Sequence, residues 1–293
     1  MSAPCLKRRA RIVNLYKAYD YILNKPDISP QTLKELYSII SQGLLTEEEL
    51  QNMGPIYRQG PVYIFDSDRL DKPPAQGILA EKIEQFMDSY FAFLQAQHEG
   101  SCTDDYIRSQ ILHFYFVYIH PFFDVNGRTG RTLSMWYLLN KKAYSYIIFN
   151  RGLTFNVNSY YWSIRYAKKT NDITYFLSLM LETVKKELEK EFTVKTAVSL
   201  AGCSLTATEY QALLFFLSMK GQRTIFSYAQ IYNQKNPHKK ISNIYSSMIE
   251  PLLDKGILEE GRSTGRIVDN IPNKVLKMRK MDIDPDMLQY LQL

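Results

Sequence analysis

The chain has 293 residues, enough for one large domain or two of ordinary size. Apolar residues make up 45% and charged residues 23% of it, proportions that are typical of globular proteins and exclude wholesale disorder. The 36 basic and 30 acidic side chains give a net charge of +6, which is spread along the chain and is weak support for nucleic-acid binding. The 3 widely spaced cysteines, and the lack of a secretory signal or an apolar run long enough for a bilayer, predict a cytoplasmic protein with no membrane partner.

Apolar residues recur at helical spacing over the first two thirds of the chain. Helices are predicted at 12–24, 32–42, 78–98, 105–119, 129–141, 159–169 and 172–191. Residues 54–65 differ, because they predict two short β segments, 56–58 and 62–65, around the turn Gln59-Gly60-Pro61. An isolated hairpin cannot form a core by itself, so we expect it to be a surface ornament or a flap over a site.

The pattern changes after residues 196–204, which resemble a linker. Beyond them, helices are predicted at 206–220, 226–233 and 241–255, followed by strands at 257–260 and 266–269 around a turn at 261–265. Three helices and a terminal hairpin are the element order of a winged helix, so residues 205–293 are predicted to form a winged-helix domain. Such domains bind DNA or dock proteins. Candidate contacts to DNA phosphates are His238, Lys239, Lys240, Arg262 and Arg266.

The segment 120–131, His-Pro-Phe-Phe-Asp-Val-Asn-Gly-Arg-Thr-Gly-Arg, concentrates residue types that suit phosphate chemistry. His120 ends a helix before Pro121, and a histidine has the intrinsic pKa of a general base. Asp124 offers a hard oxygen ligand to Mg²⁺. The segment therefore begins with a candidate base and a candidate metal ligand.

The second half of this segment opens the next helix. The first N–H groups of a helix lack internal partners and form an anion site, which Gly127 lets a phosphate approach closely. Arg128 and Arg131 are three residues apart, so they lie on one helix face, and two guanidinium groups suit a polyphosphate. A base, a metal ligand and a phosphate cradle together predict phosphoryl or nucleotidyl transfer.

This loop resembles the signature of the Fic family, H-P-F-x-[DE]-G-N-G-R-x-x-R. The matching positions are His120, Pro121, Phe122, Asp124, Asn126, Gly127, Arg128 and Arg131. Similarity to family members extends over about residues 12–190. The resemblance implies a mainly α protein, with a Fic-type helical core in a catalytic domain at 1–195 and a small β-hairpin flap at about 54–65.

Family members transfer AMP from ATP to a Ser, Thr or Tyr hydroxyl of a target protein and release pyrophosphate. The resemblance implies that His120 deprotonates that hydroxyl, that Asp124 holds Mg²⁺ and that Phe122 anchors the loop in the core. It assigns the phosphate oxygens of ATP to Asn126, Gly127, Arg128 and Arg131, with Arg131 at the γ-phosphate. It assigns alignment of the target segment by strand addition to the flap residues Pro61, Val62, Tyr63 and Ile64.

One position departs from the family pattern, because Val125 stands where the signature has glycine. A β-branched residue disfavours positive φ, so we expect either a negative φ there or a reshaped phosphate pocket. The family's inhibitory glutamate motif has no match before Val13, and Glu250, which has the right spacing, is followed by Pro251. The sequence therefore leaves open whether a separate protein inhibits the site. It also leaves open whether the protein forms a homodimer.

Two alternative functions remain open at this stage. One is a regulator whose winged helix binds DNA or a partner while the Fic core senses nucleotide. The other is a Fic enzyme that uses another nucleotide or removes AMP.

Overall fold

A computed structural model describes residues 3–25, 27–64, 75–97, 99–153, 157–219, 222–235 and 239–279. The protein is mainly α, as predicted, and its chain divides into two compact units, Met1–Lys186 and Glu187–Leu293. No described helix has an apolar stretch long enough to cross a bilayer.

The first unit is a helical core with one small sheet. Its helices are α1 (Ala3–Leu23), α2 (Pro30–Ser41), α3 (Glu47–Gln51), α4 (Ile83–Gln95), α5 (Cys102–Ile119), α6 (Asn126–Asn140), α7 (Phe149–Leu153), α8 (Val157–Thr170) and the first part of α9 (Thr174–Leu200). Short 3₁₀ turns precede α4 at Ala80–Lys82 and α7 at Tyr144–Ile148. Its sheet consists of β1 (Tyr63–Ile64) and β2 (Ala75–Gln76), which pair antiparallel.

Local sequence explains where the helices around the signature loop begin. Ser29 and Ser101 cap α2 and α5 through reciprocal capping boxes with Thr32 and Asp104, which satisfy first-turn N–H groups.

The α2 helix buries Tyr37, whose ring stacks on Phe122 with centroids 3.6 Å apart. The core of the first unit thereby holds both ends of the signature loop, since α5 ends and α6 begins in the same apolar cluster.

The pairing of the flap strands differs from the prediction. Strand β1 pairs with Ala75–Gln76, so the predicted hairpin between 56–58 and 62–65 is wrong. The reason is that residues 56–58 have other partners: the Arg58 N–H donates to the Pro121 carbonyl at 3.1 Å, and the Tyr57 carbonyl accepts from Gly54. Phe65, the last residue of the predicted flap, lies outside the described residues.

The second unit contains the end of α9, three helical segments and a hairpin. They are α10 (Ala207–Ser218), α11 (Ile225–Lys235), a third helix made of α12 (Ile241–Ile244), a π turn (Tyr245–Ile249) and α13 (Glu250–Asp254), and the strands β3 (Leu258–Val268) and β4 (Ile271–Met278). The predicted linker at 196–204 is helical over residues 196–200, which continue α9. Val194 and Ala197 explain this, because both are buried in the core of the second unit.

The terminal hairpin turns later than predicted. Residues 261–265 lie inside β3, where a shift in pairing register and a φ of 79° at Gly265 mark an irregularity rather than a turn. The chain reverses at Asp269 and Asn270, whose φ values of 53° and 64° fit a two-residue hairpin turn. The assignment of this unit to the winged-helix class remains a prediction, and His238 lies outside the described residues.

Candidate active site

His120 stands at the C-terminus of α5 in a left-handed conformation, with φ 54° and ψ 58°. Its N–H donates to the Phe116 carbonyl at 3.0 Å, and its ring Nδ1 lies 3.3 Å from the Val117 carbonyl oxygen. A carbonyl can only accept, so Nδ1 carries the proton and Nε2 keeps the basic lone pair. Burial, with a contribution from the Lys168 ammonium, lowers the pKa of His120 to about 4. The imidazole is therefore neutral at pH 7.

The loop after His120 is braced by Asn126. The Asn126 side chain, 2% exposed, accepts from the Phe122 N–H at 3.0 Å and donates to the Phe122 carbonyl at 2.7 Å. Phe122 itself is fully buried, in keeping with its predicted anchoring role. The Asn126 side chain is thus engaged by the loop, which leaves its backbone N–H as the group able to meet a phosphate.

Val125 has a φ of 57° and a ψ of 12°, so the left-handed conformation that glycine favours is kept by a valine. The expectation of a negative φ is wrong. Two contacts hold the conformation: the Val125 carbonyl accepts both the N–H and the hydroxyl of Thr129, at 2.9 and 3.1 Å. Of the two expected alternatives, a reshaped phosphate pocket therefore stays a prediction.

The N-terminus of α6 is open to an anion. None of the side chains that the structure describes caps the helix at Val125, so the first-turn N–H groups keep their donor capacity. A Cβ at Gly127 would meet only Arg131 Nη1, at 3.5 Å, so the space over Gly127 is free of tight contacts. These features fit a phosphate group against the helix end.

Two charged side chains, those of Arg128 and Asp124, lie at that helix end. Arg128 Nη1 is buried and has no hydrogen-bond partner among the described residues, and burial lowers the pKa of its guanidinium. Asp124 is exposed, and its Oδ1 accepts from the Val125 N–H at 2.6 Å. An unsatisfied buried guanidinium nitrogen next to an open helix N-terminus suits an anionic ligand. The exposed Asp124 carboxylate is placed to ligate a cation bound with that anion.

A polar network supports α6 from behind. His113 is buried, and its Nε2 lies 2.9 Å from the Tyr160 hydroxyl. Burial lowers the pKa of His113 to about 3 and raises that of Tyr160 to about 12. Arg131 lies close enough to lower both values electrostatically, so it borders this network.

Several residues that shape the site were not singled out from the sequence. Lys168 on α8 has a pKa lowered by burial to about 8 and acts electrostatically on His120. Arg58, taken only as part of the flap, is buried at its base. No local pattern marks either residue, because each acts on a residue more than forty positions away in the chain.

The flap residues take different environments. Val62 is buried, whereas Pro61 is exposed and the Tyr63 side chain is 53% exposed. The side chain of Ile64 lies outside the described residues. Strand β1 pairs with β2 along one edge, and no described strand pairs with its other edge. That open edge is compatible with addition of an extended segment.

The fold and the signature loop are both similar to those of Fic proteins. Residues 27–138, which include the whole signature loop, match the sequence profile of the Fic/DOC family. The chain is also similar to a Fic family protein of known structure from Desulfovibrio desulfuricans G20, with 20% identity, 92% of this chain and 75% of that chain covered, and a TM-score of 0.52. The chain is therefore similar to the Fic/DOC family over residues 27–138, and to a Fic family protein in its fold.

Proposed function

We propose that the protein transfers AMP from ATP to a Ser, Thr or Tyr hydroxyl of a target protein and releases pyrophosphate. The observation that carries the proposal is the loop 120–131 itself. It joins a neutral histidine, whose Nε2 keeps its lone pair, to a helix N-terminus that no described side chain caps, where a buried Arg128 nitrogen has no hydrogen-bond partner among the described residues.

In the proposed reaction His120 Nε2 accepts the proton of the target hydroxyl. The hydroxyl oxygen forms a bond to the α-phosphorus of ATP, while the bond from the α-phosphorus to the oxygen bridging to the β-phosphate breaks. A pKa of about 4 makes His120 a weak base, so we expect proton transfer to occur late, when the attacking oxygen has become acidic. Positioning of the two reactants supplies most of the acceleration.

The N-terminus of α6 would bind the phosphates of ATP. Backbone N–H groups of the first turn, the Arg128 guanidinium and Arg131 supply donors and positive charge for the phosphate oxygens. Asp124 fits Mg²⁺ because its carboxylate is exposed beside this anion site. When bound, Mg²⁺ neutralises phosphate charge and stabilises the leaving pyrophosphate.

The flap would present the target. An extended target segment could add to the open edge of β1, with main-chain hydrogen bonds setting its register. The half-exposed Tyr63 would then lie on the surface that the segment covers.

Transfer of label from ATP tests this function directly. The protein and its His120→Ala variant are incubated with Mg²⁺, a bacterial lysate and either α-³²P-ATP or γ-³²P-ATP. We expect protein labelling from the α position alone, lost in the variant. Circular dichroism of both proteins controls for folding.

Two other results would contradict the proposal. Label from the γ position would indicate phosphoryl transfer instead. No label from either position, together with measurable ATP binding by calorimetry, would favour a nucleotide-sensing role, and α-labelled GTP, CTP and UTP would then test other donors.

A further inference from the structure

Arg58 joins three backbone carbonyls that are far apart in the chain. Its Nε donates to the His120 carbonyl at 3.0 Å, its Nη1 to the Gly60 carbonyl at 2.6 Å and its Nη2 to the Ile78 carbonyl at 2.6 Å. The Arg58 backbone N–H adds a bond to the Pro121 carbonyl at 3.1 Å. One residue thus makes two hydrogen bonds to the signature loop and two to the flap.

The two flap carbonyls lie at the ends of the hairpin. Gly60 precedes β1, and Ile78 follows β2. The contact at the second end is tight, because a Cβ at Gly77 would lie 3.2 Å from Arg58 Nη2 and 2.6 Å from a methyl carbon of Val62. The Gly77 N–H also donates to the Val62 carbonyl at 3.0 Å, which closes the hairpin at this point.

Burial of the charged Arg58 guanidinium is unfavourable unless hydrogen-bond acceptors meet it at the right angles. Arg58 is 2% exposed, and no carboxylate among the described residues pairs with it. A buried charge is unfavourable unless it is hydrogen-bonded, and here a carbonyl oxygen accepts from each of the three guanidinium nitrogens. The planar guanidinium fork can hold three acceptors at fixed angles, whereas the ammonium of lysine is a single point of charge.

We propose that Arg58 is a positioning residue that couples the flap to His120. Its hydrogen bonds hold the two ends of the flap at a fixed distance from the signature loop. The inference deepens the proposed function and rests on it for its purpose: a target strand docked on β1 is thereby held at a set distance from the base. The coupling itself is a property of the free protein.

Amide hydrogen exchange, followed by mass spectrometry or NMR on the full chain, tests the coupling. The reporters are the Gly77 N–H in the flap and the His120 N–H in the loop, both hydrogen-bonded. In Arg58→Gln we expect both to exchange at least about tenfold faster under native conditions. In Arg58→Lys, which keeps the charge, we expect neither exchange rate to return fully to that of the native protein, because a lysine ammonium cannot hold three carbonyls.

A second variant perturbs the flap without touching Arg58 or the loop. Gly77→Ala forces a methyl group against Val62 and Arg58, and coupling predicts faster exchange at His120 as well as in the flap. Arg108→Gln is the matched control, because Arg108 on α5 also donates to two backbone carbonyls, those of Phe93 and Ala96. It is expected to leave both reporters unchanged.

The proposal is overturned if Gly77→Ala loosens the flap while His120 keeps its exchange rate. It is also overturned if Arg58→Lys behaves like the native protein, since charge alone would then suffice. These results stand whether or not AMP transfer occurs.

Where transfer does occur, kinetics add a separate readout. Arg58→Lys is expected to lower kcat/KM for the target protein by at least about tenfold, as misplacement by a fraction of an ångström can do. ATP affinity measured by calorimetry should stay within about twofold, because the hydrogen bonds of Arg58 described above go to residues 60, 78, 120 and 121, all outside α6. An equal loss of ATP affinity would contradict positioning and indicate general unfolding of the site.

Discussion

Val125 combines a strained backbone with a buried side chain. A left-handed conformation costs a residue with a Cβ about 1–2 kcal/mol, and β-branching adds to the strain. Its side chain is only 4% exposed and packs in the core of the first unit. Burial of a valine contributes about 1.5–3 kcal/mol, which offsets the strain. This balance explains how a valine is tolerated in the left-handed conformation at this position.

Substitutions at Val125 separate these two effects. Both Val125→Gly and Val125→Ala lose the packing, but only glycine also removes the strain. We expect Val125→Gly to be the more stable of the two by about 1 kcal/mol in urea unfolding, the reverse of the usual order in a helix or strand. Alanine at least as stable as glycine would mean that the backbone relaxes to a negative φ.

The charges around His120 give a kinetic prediction. Besides burial, Lys168 and Arg58 lower its pKa, whereas Asp124 raises it. Lys168→Met removes a positive charge, so the pKa of His120 should rise towards the ordinary value of 6.5. We expect the acidic limb of the pH profile of kcat/KM for AMP transfer to move to higher pH. Lys169→Met, at an exposed position on the same helix, should leave the limb in place.

Two glycines of α6 have different surroundings. One is needed for helix packing, whereas the other leaves space for a ligand. Gly130 lies against α5, and a Cβ there would come within 3.2–3.4 Å of Phe116, His113 and Val117. Gly127 has only Arg131 Nη1 nearby, at 3.5 Å. The close approach of α5 and α6 therefore depends on Gly130, whereas the fold does not require glycine at 127.

Matched alanine substitutions test this division. Gly130→Ala is expected to lower the free energy of unfolding by about 1–3 kcal/mol through overpacking. Gly127→Ala should unfold no more easily than the native protein, yet bind ATP at least about tenfold more weakly in calorimetry, a loss of ~1.4 kcal/mol. Normal ATP binding by Gly127→Ala would contradict a phosphate seated over this residue.

At the scale of the whole molecule, buried histidines make the first unit sensitive to acid. The unfolded chain takes up a proton at each histidine near pH 6.5. The folded chain does so only near pH 4 at His120 and pH 3 at His113, because burial disfavours the charged rings. The unfolded state binds more protons across this window, so stability is fully present above pH 6.5 and is lost as the pH falls.

Unfolding at several pH values measures this loss. Each histidine contributes a slope of about 1.4 kcal/mol per pH unit where only the unfolded state is protonated. His113→Gln should reduce the slope between pH 6 and 4 by about one proton, whatever its effect on stability at pH 7. Tryptophan fluorescence is a suitable signal, because both tryptophans, Trp136 and Trp162, belong to the first unit. An unchanged slope would mean that His113 is protonated in the folded protein.

Local sequence patterns predicted most helices of both units and the signature loop, but they missed the short helices α3 and α7. The features that were predicted depend on patterns within one or two helical turns, such as apolar spacing, caps and the run from His120 to Arg131. The turn at Asp269 and Asn270 could also have been predicted from the sequence, since both residue types tolerate positive φ. The turn was instead predicted at 261–265, because that segment contains two glycines.

Which groups surround the candidate active site depends on tertiary packing, and local sequence patterns did not predict it. Asn126 has an amide that could meet either a phosphate or a backbone, and the fold turns it to Phe122. The partner of β1 and the three acceptors of Arg58 depend on which segments the core brings together. Hydrogen bonds between residues 58, 78 and 120 leave no periodic trace in a sequence, because contacts across such separations form only once packing has placed the chain.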